Sequence, residues 1–235
     1  MKVVVINFCG NVGKTTISGQ LLKPRMNNAP IFSVESLNVD ATSDGIQVER
    51  FKGKKFGELI DGIMLAKDAI IDVGASNVEE FIKFMQQYDS SHEEFDYFLI
   101  PVLKERKVQV DTVNTIRALS ALGIPRSKIR VVFNKVDADE SLKEEFSILF
   151  DLSHKEDSFT LVPEAIIHSN EVFEKLKVLG KSLGEINSDE TNYRAQLREA
   201  STEADQNRLL RLIAIKRLAV TANRNFDEAF NALFN

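Results

Sequence analysis

The sequence predicts an α/β fold: a doubly wound, mostly parallel sheet flanked by helices, followed by a helical C-terminal extension. Three observations predict it. Short apolar runs recur without polar alternation, as in strands buried on both faces. Helical patterns alternate with these runs, the order of a doubly wound sheet. From Asp189 to Asn235 there is no strand run, no glycine and no proline.

Taken in order, the strand runs lie at 3–8, 31–34, 69–73, 97–102 and 130–133, with a weaker one at 159–162. The first, Val3-Val4-Val5-Ile6-Asn7-Phe8, is β-branched and apolar apart from Asn7. Helical patterns cover 15–22, 56–65, 78–88, 108–122 and 141–150. Together these outline one α/β domain over 1–185. Residues 189–235 read as an extension of two helices, at 189–204 and 206–233. Leu209, Leu212, Ile213, Ile215 and Leu218 do not form one stripe at 100° per residue. From Gln206 to Asn223 the only charges are Arg208, Arg211, Lys216 and Arg217. The extension is expected to pack on the domain or on another subunit; a membrane or nucleic-acid contact is the alternative.

Composition narrows the class. Apolar residues make up 43% and charged residues 28% of 235, the profile of an ordinary globular protein. A net charge of -5 argues against a globally basic nucleic-acid binder but leaves room for a local basic patch. With Cys9 as the one cysteine, no intrachain disulfide can form, which points to a reducing compartment. No apolar run approaches the length of a membrane span, and no signal peptide is read. A cytoplasmic location is the expectation.

The chemistry begins at Phe8-Cys9-Gly10-Asn11-Val12-Gly13-Lys14-Thr15-Thr16. A phosphate-binding loop reads G-x-x-x-x-G-K-[ST] between a strand and a helix. Gly13-Lys14-Thr15 keeps that ending, while Phe8 stands where the outer glycine belongs. Gly10 and Gly13 let the backbone turn its N–H groups toward phosphate oxygens, and the helix starting near Lys14 adds its dipole. Gly10, Asn11, Val12, Gly13, Lys14, Thr15 and Thr16 are therefore the candidate nucleotide-binding residues. Lys14 is expected to reach the β- and γ-phosphates and Thr15 to ligate Mg²⁺. Asp72, carried by the buried run 69–73, is the matching acid and would hold a water of the Mg²⁺ shell. Lys14 and Asp72 are candidate catalytic residues. Gly74-Ala75-Ser76-Asn77 supplies a small-residue segment suited to a switch loop.

These residues resemble the deviant Walker A ATPases, the plasmid-partition and MinD-like group, whose loop reads G-K-G-G-x-G-K-T-T. The likeness runs from Gly10 through Thr16, with Asn11 in place of a glycine, and covers about residues 1–185. It implies ATP and Mg²⁺ as cofactors. It also implies a nucleotide-driven switch in plasmid stability, segregation or conjugative transfer. The partners it implies are a DNA-binding adaptor protein, non-specific DNA or a membrane, and a second copy of the chain in a homodimer. Two departures stand out. The signature lysine, second in the family's loop, reaches across the dimer; Cys9 takes its place, and a thiol supplies no such charge. Cys9 reads as a small residue tolerated in a turn rather than a reactive thiol. The family's acid-x-acid pair becomes Glu35-Ser36-Leu37, so Asp40 is the nearest candidate for orienting the attacking water. It is equally well a solvated loop acid, and hydrolysis is slow if no acid reaches the water.

Base recognition is expected at Asn134-Lys135-Val136-Asp137. Asp137 could accept from guanine N1–H and N2–H₂, which argues for GTP. Asn134 could serve adenine, and the resemblance favours ATP. Pro163, after the weak run at 159–162, is expected to close over the base. Two basic clusters, Lys52-Gly53-Lys54-Lys55 and Lys104-Glu105-Arg106-Lys107, could meet DNA phosphates. His92, His154 and His168 lack ligand spacing, so no metal beyond Mg²⁺ is indicated. Three rival readings stand beside the switch: a GTP-dependent regulator, a dethiobiotin-synthetase-like enzyme that uses ATP on a small molecule, and a binding module that barely hydrolyses.

Overall fold

The computed structural model describes residues 1–35, 49–51 and 56–235. The Asp40 expectation and the cluster at 52–55 lie outside the described residues. Seven strands form one sheet: β1 (Lys2–Val5), β2 (Ile31–Val34), β3 (Glu49–Phe51), β4 (Ala69–Val73), β5 (Tyr97–Val102), β6 (Ile129–Val136) and β7 (Ile166–His168). Their spatial order is β3-β2-β4-β1-β5-β6-β7, and every pairing is parallel. The chain moves from β1 toward the β2 edge, then crosses back from β4 to β5. That reversal opens a crevice at the carboxyl end of β1, the usual ligand position in such sheets.

β1 shows why the first run lacks polar alternation. Val4 and Ile6 face one core with Phe32, Phe81 and Phe98. Val3 and Val5 face another with Ile17, Leu21 and Leu99. Helices cover both faces: α1 over 14–25, α2 (Phe56–Leu65), α3 (Val78–Gln87), α4 (Arg106–Ala121), α5 (Leu142–Glu145), α6 (Ser147–Lys155), α7 (Val172–Leu179), α8 (Leu183–Asn187), α9 (Tyr193–Glu199) and α10 (Glu203–Phe234). The expected helix at 141–150 is two helices, broken at Phe146, whose ring is buried against Phe133 at 4.8 Å.

Two strand expectations need correction. The run 159–162 contributes one bridge, Thr160 to Arg130. Pro163 lacks an N–H and sits in a turn closed by Ala165 N–H on Val162 O at 3.0 Å, so the ladder cannot continue there. The last strand is instead β7. The sequence pattern also predicts nothing at β3, because Glu49-Arg50-Phe51 is short and charged, the usual dress of an edge strand.

The C-terminal helix joins the core of the β1–α1 face. Ile215, Ala219, Ala222, Phe226, Ala229 and Leu233 are buried at spacings of four and three, a clean helical stripe. It escapes a search on leucine and isoleucine because half of it is alanine. Arg25 stitches this helix to α1. α1 is α-helical at Lys14–Thr16, π-helical across Ile17–Leu22 and α-helical again at Lys23–Arg25. Pro24 cannot donate to the preceding turn. The Arg25 guanidinium instead donates to Gln20 O and Leu21 O at 3.2 and 3.1 Å. It also reaches Asn223 O at 3.0 Å and Asp227 at 2.7 Å. Among the described residues, no helix is long and apolar enough to cross a membrane.

Candidate functional site

The loop leaves β1 and turns into α1 with Asn11 and Gly13 at positive φ, 59° and 90°. Gly13 is required twice. The left-handed region favours glycine, and a Cβ there would lie 2.4 Å from Asn134 Nδ2. That same Nδ2 donates to Val12 O at 2.9 Å, so β6 braces the loop from the far side. Gly10 differs: its φ is not positive, and a Cβ there would meet no atom within 4 Å. Neither backbone conformation nor packing asks for glycine at this position. A glycine there leaves the loop backbone open to a ligand.

Lys14 is buried, and its ammonium donates to Cys9 O at 2.8 Å and Asn7 O at 3.2 Å. Burial pushes it below the ordinary lysine value, while the Asp72 carboxylate pulls the other way. Asp72 stands near the end of β4, buried, its carboxylate hydrogen-bonded by the Thr15 side chain. Its pKa is pushed up to about 6, by burial first and then by Glu35, against the pull of Thr15 and Lys14. A buried carboxylate so raised gains from a nearby cation. Thr15 and Asp72 present hard oxygen donors side by side, the donor set that Mg²⁺ takes. The residues present therefore fit a Mg²⁺–phosphate group. Gly74 lets this edge close: a Cβ there would come 3.2 Å from Val34 O and 3.4 Å from Glu35 Cγ. Asn77, ending the turn Ala75–Asn77, donates to Val34 O at 3.1 Å.

At the other end of the crevice, β6 bulges between Asn134 and Val136, and Lys135 takes a φ of 57°. Asp137 follows, half exposed. A hydrogen bond with Ser169 and the Lys104 ammonium at 3.5 Å hold its carboxyl below the ordinary value. Glu140 accepts from the Asp137 N–H at 2.9 Å and pairs with Lys104.

No protein-family model matches the sequence, and no curated protein does. Solved structures do match. The MinC:MinD cell division protein complex of Aquifex aeolicus aligns with a TM-score of 0.51 at 13% identity, over 77% of this chain and 87% of that one. The septum site-determining protein MinD complexed with Mg-ADP, from Pyrococcus horikoshii OT3, gives 0.50 at 12% identity, over 77% and 86%. A plasmid partition protein from Borrelia burgdorferi gives 0.44 at 15%, over 76% and 96%. The chain has the MinD-like P-loop fold.

Within that fold the expected residues sort clearly. Gly10, Asn11, Val12, Gly13, Lys14, Thr15 and Thr16 form the loop and the first turn of α1, with Asp72 and Asn134 against them. Asp137 stands at the same sheet edge. Pro163 does not: it precedes β7, alongside the first half of β6, and the residues that follow β7 are Ser169 and Asn170. Cys9 is no activated thiol. Burial first, then the Asp111 carboxylate hydrogen-bonded to it, push its pKa up, against Lys14 and Lys107. The expectations missed Asn7, Thr112, Thr115 and Ser169. Asn7 carried a readable signal, a polar residue inside a run whose other members are apolar, which needs partners when buried.

Proposed function

We propose that this chain is a partition-type P-loop ATPase that acts as a nucleotide-driven switch in plasmid stability, segregation or conjugative transfer. The observation that carries the nucleotide part is the Lys14–Thr15–Asp72 constellation at the carboxyl edge of the sheet. The plasmid part rests on likeness in residues. The loop, the segment Val34-Glu35-Ser36-Leu37-Asn38-Val39-Asp40 and Asp72-Val73-Gly74-Ala75-Ser76-Asn77-Val78-Glu79-Glu80 are similar to the plasmid stability protein StbB. The Mg-ADP held by the Pyrococcus MinD supports adenine nucleotide and Mg²⁺ as the ligands.

In this reading Thr15 Oγ, and Asp72 through a water, would hold Mg²⁺, which would supply neutralisation of charge on the phosphate oxygens. Lys14, held by the carbonyls of Asn7 and Cys9, would direct its third N–H toward the β- and γ-phosphates. The N–H groups from Gly10 to Thr16 surround the phosphates. Segment 74–77, bonded to the end of β2, responds to the γ-phosphate and alters the surface offered to a partner. Asp40 would orient the attacking water. Without a lysine at position 9, cross-dimer activation of the family's usual kind has no charge to use.

A second reading has one observation behind it. Asp137 is ionised and oriented by Ser169, as a guanine-reading carboxylate needs to be. Competition between ATP and GTP for bound labelled nucleotide decides: ATP is expected to displace it better, and a strong preference for GTP overturns the base assignment. The nucleotide that copurifies with the chain, together with its mass in solution, tests base and dimer at once.

A further inference from the structure

The outer glycine of the loop is Phe8, so something else must hold the arm that leads from β1 into the phosphate cradle. The structure shows three consecutive arm residues gripped by one helix. Asn7, fully buried, donates from Nδ2 to Thr112 Oγ1 and to Pro101 O, both at 2.8 Å. Its Oδ1 accepts the Cys9 N–H at 2.8 Å. The Phe8 N–H donates to Thr115 Oγ1 at 3.1 Å. The Cys9 thiol is hydrogen-bonded to Asp111. Thr112 and Thr115 are both fully buried. Each donates its own hydroxyl proton one turn back, Thr112 to Val108 O at 2.9 Å and Thr115 to Asp111 O at 2.8 Å. That back-bond turns the oxygen lone pairs toward the loop.

Two consequences follow from the geometry. The N–H groups of Phe8 and Cys9 are consumed inside the protein, so the phosphate-facing donors begin at Gly10. The carbonyls left free on the same arm, Asn7 O and Cys9 O, are the two that hold the Lys14 ammonium. A continuous chain of contacts therefore runs from α4 to the phosphate-binding charge.

We propose that Thr112 and Thr115 are positioning residues for Lys14, acting through residues 7–9 in place of a glycine arm. The proposal rests on the nucleotide-binding reading above. Replacing Thr115 by valine keeps the shape, removes the acceptor and leaves the part-buried Phe8 N–H unpaired.

The test is an equilibrium titration of the full chain with a fluorescent ATP analogue and Mg²⁺, well below each variant's melting temperature. Thr115→Val is expected to weaken binding about tenfold, and Thr115→Ser to restore it to within about twofold of wild type. On a Lys14→Ala background, Thr115→Val is expected to add nothing further. Thr112→Val carries the same expectation and takes its place if Thr115→Val does not fold. A folded Thr115→Val that binds like wild type overturns the proposal, as does a valine effect that adds fully to Lys14→Ala. If wild type binds neither ATP nor GTP analogues, the nucleotide reading itself has failed, a result distinct from either of these.

Discussion

The two ends of the crevice are built from different physics. At the phosphate end, Lys14 and Asp72 are buried and their charges act through little water, so both are shifted from their ordinary values. At the Asp137 end, Lys104, Asp137 and Glu140 pair at a partly exposed surface, where water and salt screen them more. The buried end commits the site to one kind of ligand. The exposed end can be altered with little cost to the fold, and in the proposed function it is the end that would meet the base.

Substitutions at the two ends should therefore differ in kind. The largest effect belongs to Lys14→Ala. It removes the charge proposed to meet the phosphates and should weaken ATP binding about 1,000-fold, read by nucleotide titration.

Asp72→Asn comes next, and its sign is unusual. In the folded chain the carboxyl binds its proton more tightly than in the unfolded chain, so stability falls as pH rises from about 4 to about 6. Above that window the ligand-free protein carries the full cost of the buried charge, about 3 kcal/mol at most. Asp72→Asn should thus be more stable than wild type at about pH 7 and equal to it at about pH 4, by urea denaturation without ligand. The same variant should lose the gain in nucleotide affinity that Mg²⁺ gives wild type. A wild type that is more stable than Asp72→Asn at neutral pH would remove the case for a charge held ready for a cation.

Gly13→Ala joins the two ends. It strains a left-handed backbone and displaces the Asn134 amide from Val12 O. A loss of about 2 kcal/mol is expected by urea denaturation, together with weaker nucleotide binding. The smallest effect is Lys104→Ala, which should leave the melting temperature unchanged and alter only the balance between ATP and GTP in competition. A clear drop in melting temperature would show that the base end is structural after all.

Much of this site was legible because its signals are local. A run of β-branched residues into Gly13-Lys14-Thr15, and another into Asp72, place strand, loop and acid without any tertiary knowledge. What was not legible is what acts at a distance. Thr112 and Thr115 sit in an ordinary helical pattern, and nothing near them says they serve a loop more than a hundred residues earlier. Asn134 reads as a base contact from the sequence, and that its amide braces Val12 is visible only in the fold. Pro163 was misplaced because an apolar run looks like a strand whether or not a turn interrupts it. The α10 stripe was hidden in alanines, which bury well without looking hydrophobic.

The central claim is that the buried constellation around Lys14 is a nucleotide–Mg²⁺ site. The most direct test is an equilibrium titration of labelled ATP against wild type and Lys14→Ala, with and without Mg²⁺. Saturable, Mg²⁺-strengthened binding to wild type that collapses in Lys14→Ala is the predicted result. Equal binding by both proteins, or none by folded wild type for ATP or GTP, would contradict it.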